Sequence, residues 1–265
     1  MEDYRILQFP EDFLNKIICG DCLEVLKYIP DNSIDLVFTD PPYNISEHNK
    51  KFRDYRSGKN GDITMDFGEW DYNFDPIPFL EESKRVLNEF GSIVVWMSEQ
   101  QCDIYGRWFR KEMHPKQILV WVKTNPLPQF RLIGYRQATE LMYWALKNKN
   151  TKRNPNFIFL SQKEMLNVFY APIVGGKERI KDAEGKTLHP TQKPLSVTRE
   201  IIKRHCRVGG IILDPFAGVG TTCVAAKELN RNFIGIEIDP KFCEAAKQRL
   251  SQVQPNLFAY IGDER

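Results

Sequence analysis

The chain has 265 residues, is 42% hydrophobic and 27% charged, and carries a net charge of +2. That is length for one large domain with a substantial core, while no apolar run reaches the roughly 20 residues of a membrane span and the acidic start MEDYRILQFPEDF does not read as a signal peptide, so a cytoplasmic protein with no membrane partner is expected. The six cysteines, at 19, 22, 102, 206, 223 and 243, show no framework spacing and read as reduced core thiols; Cys19-Gly-Asp-Cys22 lacks the second pair a zinc site would want, so no metal is expected.

In chain order, residues 1 to 15 read as an arm. Lys16-Ile-Ile-Cys-Gly20-Asp21 reads as a short strand ending in a turn, and CLEVLKYI after it as a helix. A carboxylate at a strand's carboxyl end points into the ligand crevice of an open α/β sheet. Asp21 is therefore either a cofactor ligand or the cap of the following helix. Ser33 to Thr39 reads as a buried strand, and Asp40-Pro41-Pro42-Tyr43-Asn44 follows it directly. Two prolines at a strand exit stop the ladder and stiffen the turn, removing donors while leaving carbonyls. One short, rigid stretch thus holds an acid, a carbonyl and an aromatic ring.

Ile45 to Glu69 is polar and without periodicity, with Lys50, Lys51, Arg53, Arg56 and Lys59, and is expected to be a lid or binding loop. FLEESKRVL then puts Phe79, Leu80, Val86 and Leu87 on one helical face. Gly91–Met97, Gln117–Lys123 and Glu140–Leu146 read as further strands, and alternation with helices predicts a mainly parallel sheet covered on both faces. Between Arg107 and Arg153 stand eleven Lys/Arg against two acids, a local net of +9 that leaves −7 for the remainder. Aromatics accompany the block (Phe130, Tyr135, Phe157, Phe159), which suggests a polyanion-facing surface, solvated charge being the alternative. From Leu127 to Lys186 the alternation breaks down into Asn, Lys, Gly and Pro.

His189-Pro-Thr191-Gln192-Lys193-Pro194 precedes a helix, SVTREIIKRH, so its donors sit where a carboxylate can be met at a helix start. Ile211-Ile-Leu-Asp214-Pro-Phe216-Ala-Gly218-Val-Gly220-Thr221-Thr222 then reads as strand, glycine turn and helix, the entry half of a nucleotide-binding βαβ unit. The next strand, Asn232 to Asp239, ends in acids about 20 residues after the turn, where a carboxylate accepts from both ribose hydroxyls. Glu237 is the first choice for that role and Asp239 the second. The third glycine of the dinucleotide pattern is missing at Thr222/Cys223, so a nucleoside without pyrophosphate fits better, which points to S-adenosylmethionine. Phe242–Leu250 reads as a last helix and Phe258–Ile261 as a short edge strand.

The two motifs together resemble the amino-methyltransferases that act on DNA bases. Their catalytic tetrapeptide (D/N/S)PP(Y/F/W) is matched by Asp40-Pro41-Pro42-Tyr43 and their FxGxG loop by Phe216-Ala-Gly218-Val-Gly220. DPPY precedes FAGVG, as in the permuted group called β, and the resemblance runs from about Lys16 to Gln252. It implies an α/β, Rossmann-like S-adenosylmethionine-dependent methyltransferase fold, with a mainly parallel seven-stranded sheet, helices on both faces and permuted motif order. It also implies a single domain, 1–265, with a target-recognition insertion at 127–186. Asp40, Pro41, Pro42 and Tyr43 would be catalytic, Asp40 and the Pro41 carbonyl accepting the target amine's hydrogens and Tyr43 stacking on the extruded base. Asp21 is assigned to the adenine ring of S-adenosylmethionine, with helix capping still open; Asp214, Phe216, Gly218, Gly220, Thr221 and Glu237 hold the nucleoside, and Thr191, Gln192 and Lys193 its methionine end. Trp121, Lys123 and Asn125-Pro126 resemble the segment that encloses the flipped base, although Trp121 as bare sequence reads as core, and His189 reads as structural.

The activity so implied is transfer to the N6 amine of adenine in double-stranded DNA, with cytosine-N4 as the nearest alternative, both targets being exocyclic amines. Cytosine-C5 chemistry needs a cysteine nucleophile, and no Pro-Cys pair occurs. A nicotinamide dehydrogenase would share the ribose acid but have no need of DPPY. A non-catalytic DNA-binding module would keep the basic block without Asp40. The resemblance extends to a homodimer and allows a cognate restriction endonuclease as a partner.

Overall fold

A computed structural model describes residues 4–44, 52–53, 62–63, 73–129, 132–150, 154–182, 184–189 and 191–254. The expected edge strand at 258–261 and most of the expected lid at 45–69 lie outside them, apart from the antiparallel pair formed by 52–53 and 62–63. In chain order the elements are β1 (Lys16–Cys19), α1 (Cys22–Leu26), β2 (Ile34–Thr39), β3 (Phe52–Arg53), β4 (Asp62–Ile63) and α2 (Ile77–Val86). There follow β5 (Leu87–Met97), α3 (Cys102–Glu112), β6 (His114–Lys123), β7 (Thr139–Leu146) and β8 (Val168–Ala171). The carboxyl half supplies α4 (Leu195–His205), β9 (Ile211–Asp214), α5 (Thr221–Glu228), β10 (Asn232–Glu237) and α6 (Pro240–Ser251).

Among the described residues the main sheet has eight strands in the order β1-β10-β9-β2-β5-β7-β6-β8, one more than the seven expected. The added strand is β8, which pairs parallel with β6 from Val120↔Val168 to Lys123↔Ala171. It lies inside the stretch 127–186, so part of the expected recognition insertion completes the sheet edge. Its four residues carry too short a pattern to stand out from the irregular sequence around them.

From β1 to β5 all pairings are parallel, whereas β7 runs antiparallel to both β5 and β6. The chain leaves β9 toward β10 on one side and β2 toward β5 on the other. The strand order therefore reverses between β9 and β2, where an open α/β sheet forms its crevice.

Alternation along the central strands sends side chains to two cores. Val94 and Trp96 of β5 join Phe38, Ile201, Val224 and Ala246 on the face of α4, α5 and α6. Ile93, Val95 and Met97 join Leu26, Phe79 and Phe109 on the face of α1, α2 and α3. In α2 the buried Phe79, Leu80, Ser83 and Val86 recur at helical spacing, which is why that face settles on the sheet. Among the described residues no helix is long and apolar enough to cross a membrane. The six cysteines are free, with Cys206, Cys223 and Cys243 buried.

His205, last in α4, lies edge-on to Trp144 with ring centroids 4.7 Å apart and packs on Phe157 at 5.1 Å. Burial and the neighbouring Arg204 push its pKa down from 6.5 to about 3. The unfolded chain takes up this proton near pH 6.5 and the folded chain only near 3, so the neutral ring's contribution is complete above 6.5 and is lost as the pH falls. In His205→Phe, urea unfolding at pH 7.5, 6 and 5 should show the variant gaining on the wild type by up to about 1.4 kcal/mol per pH unit below 6. A constant difference across the range would mean that the imidazole titrates alike in the folded and unfolded chains.

Candidate functional site

Parallel pairing brings the carboxyl ends of β1, β10, β9 and β2 to one edge of the sheet, and each delivers an acid there: Asp21, Glu237, Asp214 and Asp40. They serve different ends. Asp21 caps α1, accepting from the Leu23 N–H at 2.7 Å, and also lines the crevice. Glu237 is clamped between two backbone donors, Gly218 N–H at 2.7 Å and Asp239 N–H at 2.8 Å, which ties the end of β10 to the glycine loop. Burial raises its pKa, opposed by those same donors.

Asp214 is 3% exposed. It accepts from the Thr39 hydroxyl at 2.7 Å and from Phe216 N–H at 3.2 Å, and burial lifts it to about 7 against those donors. It fastens β9 to β2 and shapes the turn.

The glycine loop needs its glycines. Gly218 and Gly220 have φ of 53° and 77°, in the left-handed region that side chains avoid. A Cβ on Gly218 would also stand 3.1 Å from His189 Nε2, and one on Gly220 2.9 Å from Ala246 Cβ. Phe216 is held by edge-to-face contacts with Phe74 at 5.4 Å and Phe79 at 5.1 Å.

Asp40 follows β2 in the stiff Pro-Pro turn. The turn is fastened by Gln101, whose amide donates to the Pro42 carbonyl at 3.0 Å, and by Asn44, which exchanges hydrogen bonds with the backbone of Phe74 at 2.8 and 3.0 Å. Asp40 Oδ1 accepts from the Tyr43 hydroxyl at 2.7 Å, and Oδ2 lies 2.9 Å from Lys193 Nζ. Burial raises the Asp40 pKa, with the ammonium and the phenol pulling the other way.

One cavity of about 520 Å³ joins these groups. Its walls include Asp21, Asp40, Pro41, Pro42, Tyr43, Phe216, Gly218, Glu237, Asp239, Thr191 and Lys193. The two motifs, 175 residues apart between Thr39 and Asp214, thus face a common space. Phe74, Phe79, Phe242 and Ile238 complete the apolar wall. Phe79 and Phe242 drew notice in the sequence only as helix positions, and Phe74 stands in an irregular stretch that carries no local sign of its ring's direction.

Four expected cofactor residues are not on the wall: Asp214, Gly220, Thr221 and Gln192. Asp214 acts behind the turn. Gly220 is the N-cap of α5 and packs against α6. The Thr221 hydroxyl accepts from Arg249 at 3.3 Å. Gln192 spends its amide on the Glu178 carbonyl at 2.9 Å and Ile180 N–H at 3.1 Å, fastening a loop. These residues shape the site from outside.

Two surface expectations change as well. Trp121 is 2% exposed and bonded to the Ala171 carbonyl, so the core reading holds. Phe157 stacks on Trp144 at 4.7 Å and is no polyanion contact. Within the basic block Lys123 pairs with Glu140, Arg107 with Asp103, and Lys147 with backbone carbonyls. In the loop after Pro128, Leu132 and Ile133 are each 79% exposed and Tyr135 fully so, and Phe159, Leu160, Leu166 and Tyr170 are exposed as well. Phe130 lies outside the described residues.

A family profile described as DNA methylase, of the N6/N4 type, matches residues 34–248. The chain is 40% identical over 257 residues to the Type II methyltransferase M.HinfI of Haemophilus influenzae, covering 92% of this chain and 70% of that protein. It is 33% identical over 255 residues to the Type II methyltransferase M2.MboI of Moraxella bovis, covering 90% and 88%. The crystal structure of the M1.HpyAVI-SAM complex superposes with a TM-score of 0.63 at 29% identity, over 88% of this chain and 98% of that one. The cytosine-N4-specific PvuII DNA methyltransferase, at 20% identity and a TM-score of 0.66 over 92% and 88%, shares the fold.

Proposed function

Because the chain belongs to the DNA methylase family of the N6/N4 type, we propose that it transfers a methyl group from S-adenosylmethionine to the N6 amine of an adenine extruded from double-stranded DNA. The observation that carries this reading is the shared cavity, which Asp40 and Tyr43 line together with Gly218 and Glu237. The walls suit that donor. Phe216, Phe74 and Phe79 offer an apolar seat for a base, Gly218 allows backbone contact, and the Glu237 carboxylate is oriented by two N–H groups to meet ribose hydroxyls. Asp21 borders the adenine seat while capping α1.

Bound there, S-adenosylmethionine supplies an electrophilic methyl group on a sulfonium sulfur. An exocyclic amine conjugated with its ring has a poorly available lone pair. Asp40 and the Pro41 carbonyl accept its two N–H bonds, favour the pyramidal nitrogen, and stabilise the positive charge that develops on it. A carboxylate offers about four acceptor sites, so Asp40 can take the amine while keeping Tyr43 and Lys193. The methylated nitrogen is acidic and sheds its proton readily, so Asp40 acts as an oriented acceptor more than as a strong base. The ring of Tyr43 stacks on the extruded base.

The chain is read as one domain, 1–265, with DNA recognition at 127–186. There Leu132, Ile133 and Tyr135 stand in solvent beside Arg136, equipment for entering a groove and wedging a base step. Aspartate at the first motif position supports adenine over cytosine, and the Type II relatives support a cognate restriction endonuclease as a partner. Pairing through the face near the cofactor site would give a homodimer, checked by light scattering. The activity is tested by incubating DNA with label in the donor's methyl group and identifying the product nucleoside. N6-methyladenine is the expected product. N4-methylcytosine would overturn the base assignment, and DNA binding without transfer would leave a non-catalytic module.

A further inference from the structure

Lys193 belongs to the stretch expected to hold the cofactor's methionine end, yet its ammonium points elsewhere. Nζ lies 2.9 Å from Asp40 Oδ2 and 3.1 Å from Glu140 Oε2, and Glu140 Oε1 lies 2.9 Å from Lys123 Nζ. The side chains of this chain of charges are 8% to 24% exposed. The ammonium also sits over the rings of Tyr43 at 5.0 Å and Trp96 at 5.2 Å. We infer that Lys193 is a positioning residue for the acid Asp40 rather than a cofactor ligand, and that Glu140, near the start of β7, is the second positioning residue that holds it there. The inference deepens the proposed transfer to an exocyclic amine and rests on that reading for its kinetic consequence.

Charge bookkeeping gives Glu140 its purpose. A lysine paired with Asp40 alone would cancel the negative potential that the amine's hydrogens and the developing cation require. Glu140 takes a share of the ammonium, so Asp40 stays oriented by Lys193 and keeps part of its negative potential at the cavity wall, while the four charges together sum to zero. Lys123 in turn keeps Glu140 from being an unpaired buried carboxylate, which would be strongly destabilising. Burial works to raise Glu140, but Lys193 and Lys123 outweigh it and hold the acid low; burial likewise works against the Lys193 proton, and Asp40 and Glu140 outweigh it. The other titratable groups bearing on Asp40 are Tyr43 on its own turn, Asp214 at the end of β9 and Tyr105 on α3. None of them carries a positive charge, which leaves Lys193 as the cation among them.

The test uses the full chain with 13C-carboxyl aspartate. The titration of Asp40 is followed by NMR without DNA in the wild type, Lys193→Met and Glu140→Gln, with S-adenosylmethionine affinity by calorimetry and kcat on DNA as a function of pH. The Asp40 midpoint should move to higher pH in Lys193→Met and to lower pH in Glu140→Gln. Both variants should bind S-adenosylmethionine within about threefold of the wild type, and kcat should fall by about 10- to 100-fold. Since the acceptor must be ionised, the acid limb of kcat should follow the midpoint upward in Lys193→Met. Lys193→Gln keeps donors for both carboxylates, should shift Asp40 in the same direction, and serves if the methionine variant does not fold. Unmoved midpoints would overturn the inference, as would a cofactor affinity weakened about tenfold with kcat restored at saturation. A wild type that methylates no DNA would overturn the functional reading instead, while the opposed titration shifts still decide the role of Lys193.

Discussion

Replacing Asp40 with alanine is expected to lower methyl transfer at saturating cofactor by about 10²- to 10³-fold, the usual cost of removing a preorganised partner from a developing charge. The fold should survive the change, because Lys193 keeps Glu140 as a counter-ion at 3.1 Å and the turn keeps its ties through Gln101 and Asn44. Cofactor affinity should stay close to wild type, since in the proposed reading Asp40 serves the amine and Glu237 the nucleoside. Asparagine at the same position preserves an acceptor oxygen without the charge and should fall between the two. Single-turnover methylation together with calorimetry of S-adenosylmethionine binding reads both quantities. Loss of cofactor binding in step with activity would place Asp40 in the donor's seat and reverse the assignment.

The second large effect is expected at Glu237. Its carboxylate fixes Gly218 N–H and Asp239 N–H, so alanine would orphan two backbone donors at the glycine loop as well as removing the proposed ribose acceptor. Hydrogen bonds to a charged group are worth about 1.5–3 kcal/mol each, so the affinity for S-adenosylmethionine should drop by about 10²-fold or more. Glutamine retains one acceptor and should cost less. With enough cofactor kcat should largely return, because the lost contacts serve ground state and transition state alike. Equilibrium dialysis and a cofactor titration of the rate measure this. Unchanged affinity in Glu237→Ala would shift the ribose to Asp239.

What could be read in advance followed from how local each signal is. Asp40 was visible because two prolines directly after an apolar run announce a rigid turn at a strand end. Gly218 and Gly220 were visible because a turn between strand and helix with positive φ favours glycine. Glu140 was not visible. It stands in TELMYWAL, an ordinary strand sequence, and reaches Lys193 only because β7 runs against β5 and so brings its first residues to the carboxyl edge of the parallel strands. Lys193 was visible as part of a motif, but its direction was not, since the backbone on which it sits could present it to cofactor or acid. Gln192 and Thr221 show the same limit from the other side: neighbours of wall residues, they turn away to bind the fold's own loops and helices.

Composition, strand and helix periodicity and two short motifs determined by themselves the α/β class, the permuted order and the placing of an acid and a glycine turn at strand ends. These depend on backbone preferences and hydrophobic patterning that act over a few residues. The tertiary structure alone decided which charges meet. The eighth strand, the Asp40–Lys193–Glu140–Lys123 chain and the aromatic wall around Phe216 all join segments far apart in sequence. Their contacts follow from strand order and direction, which no local pattern encodes.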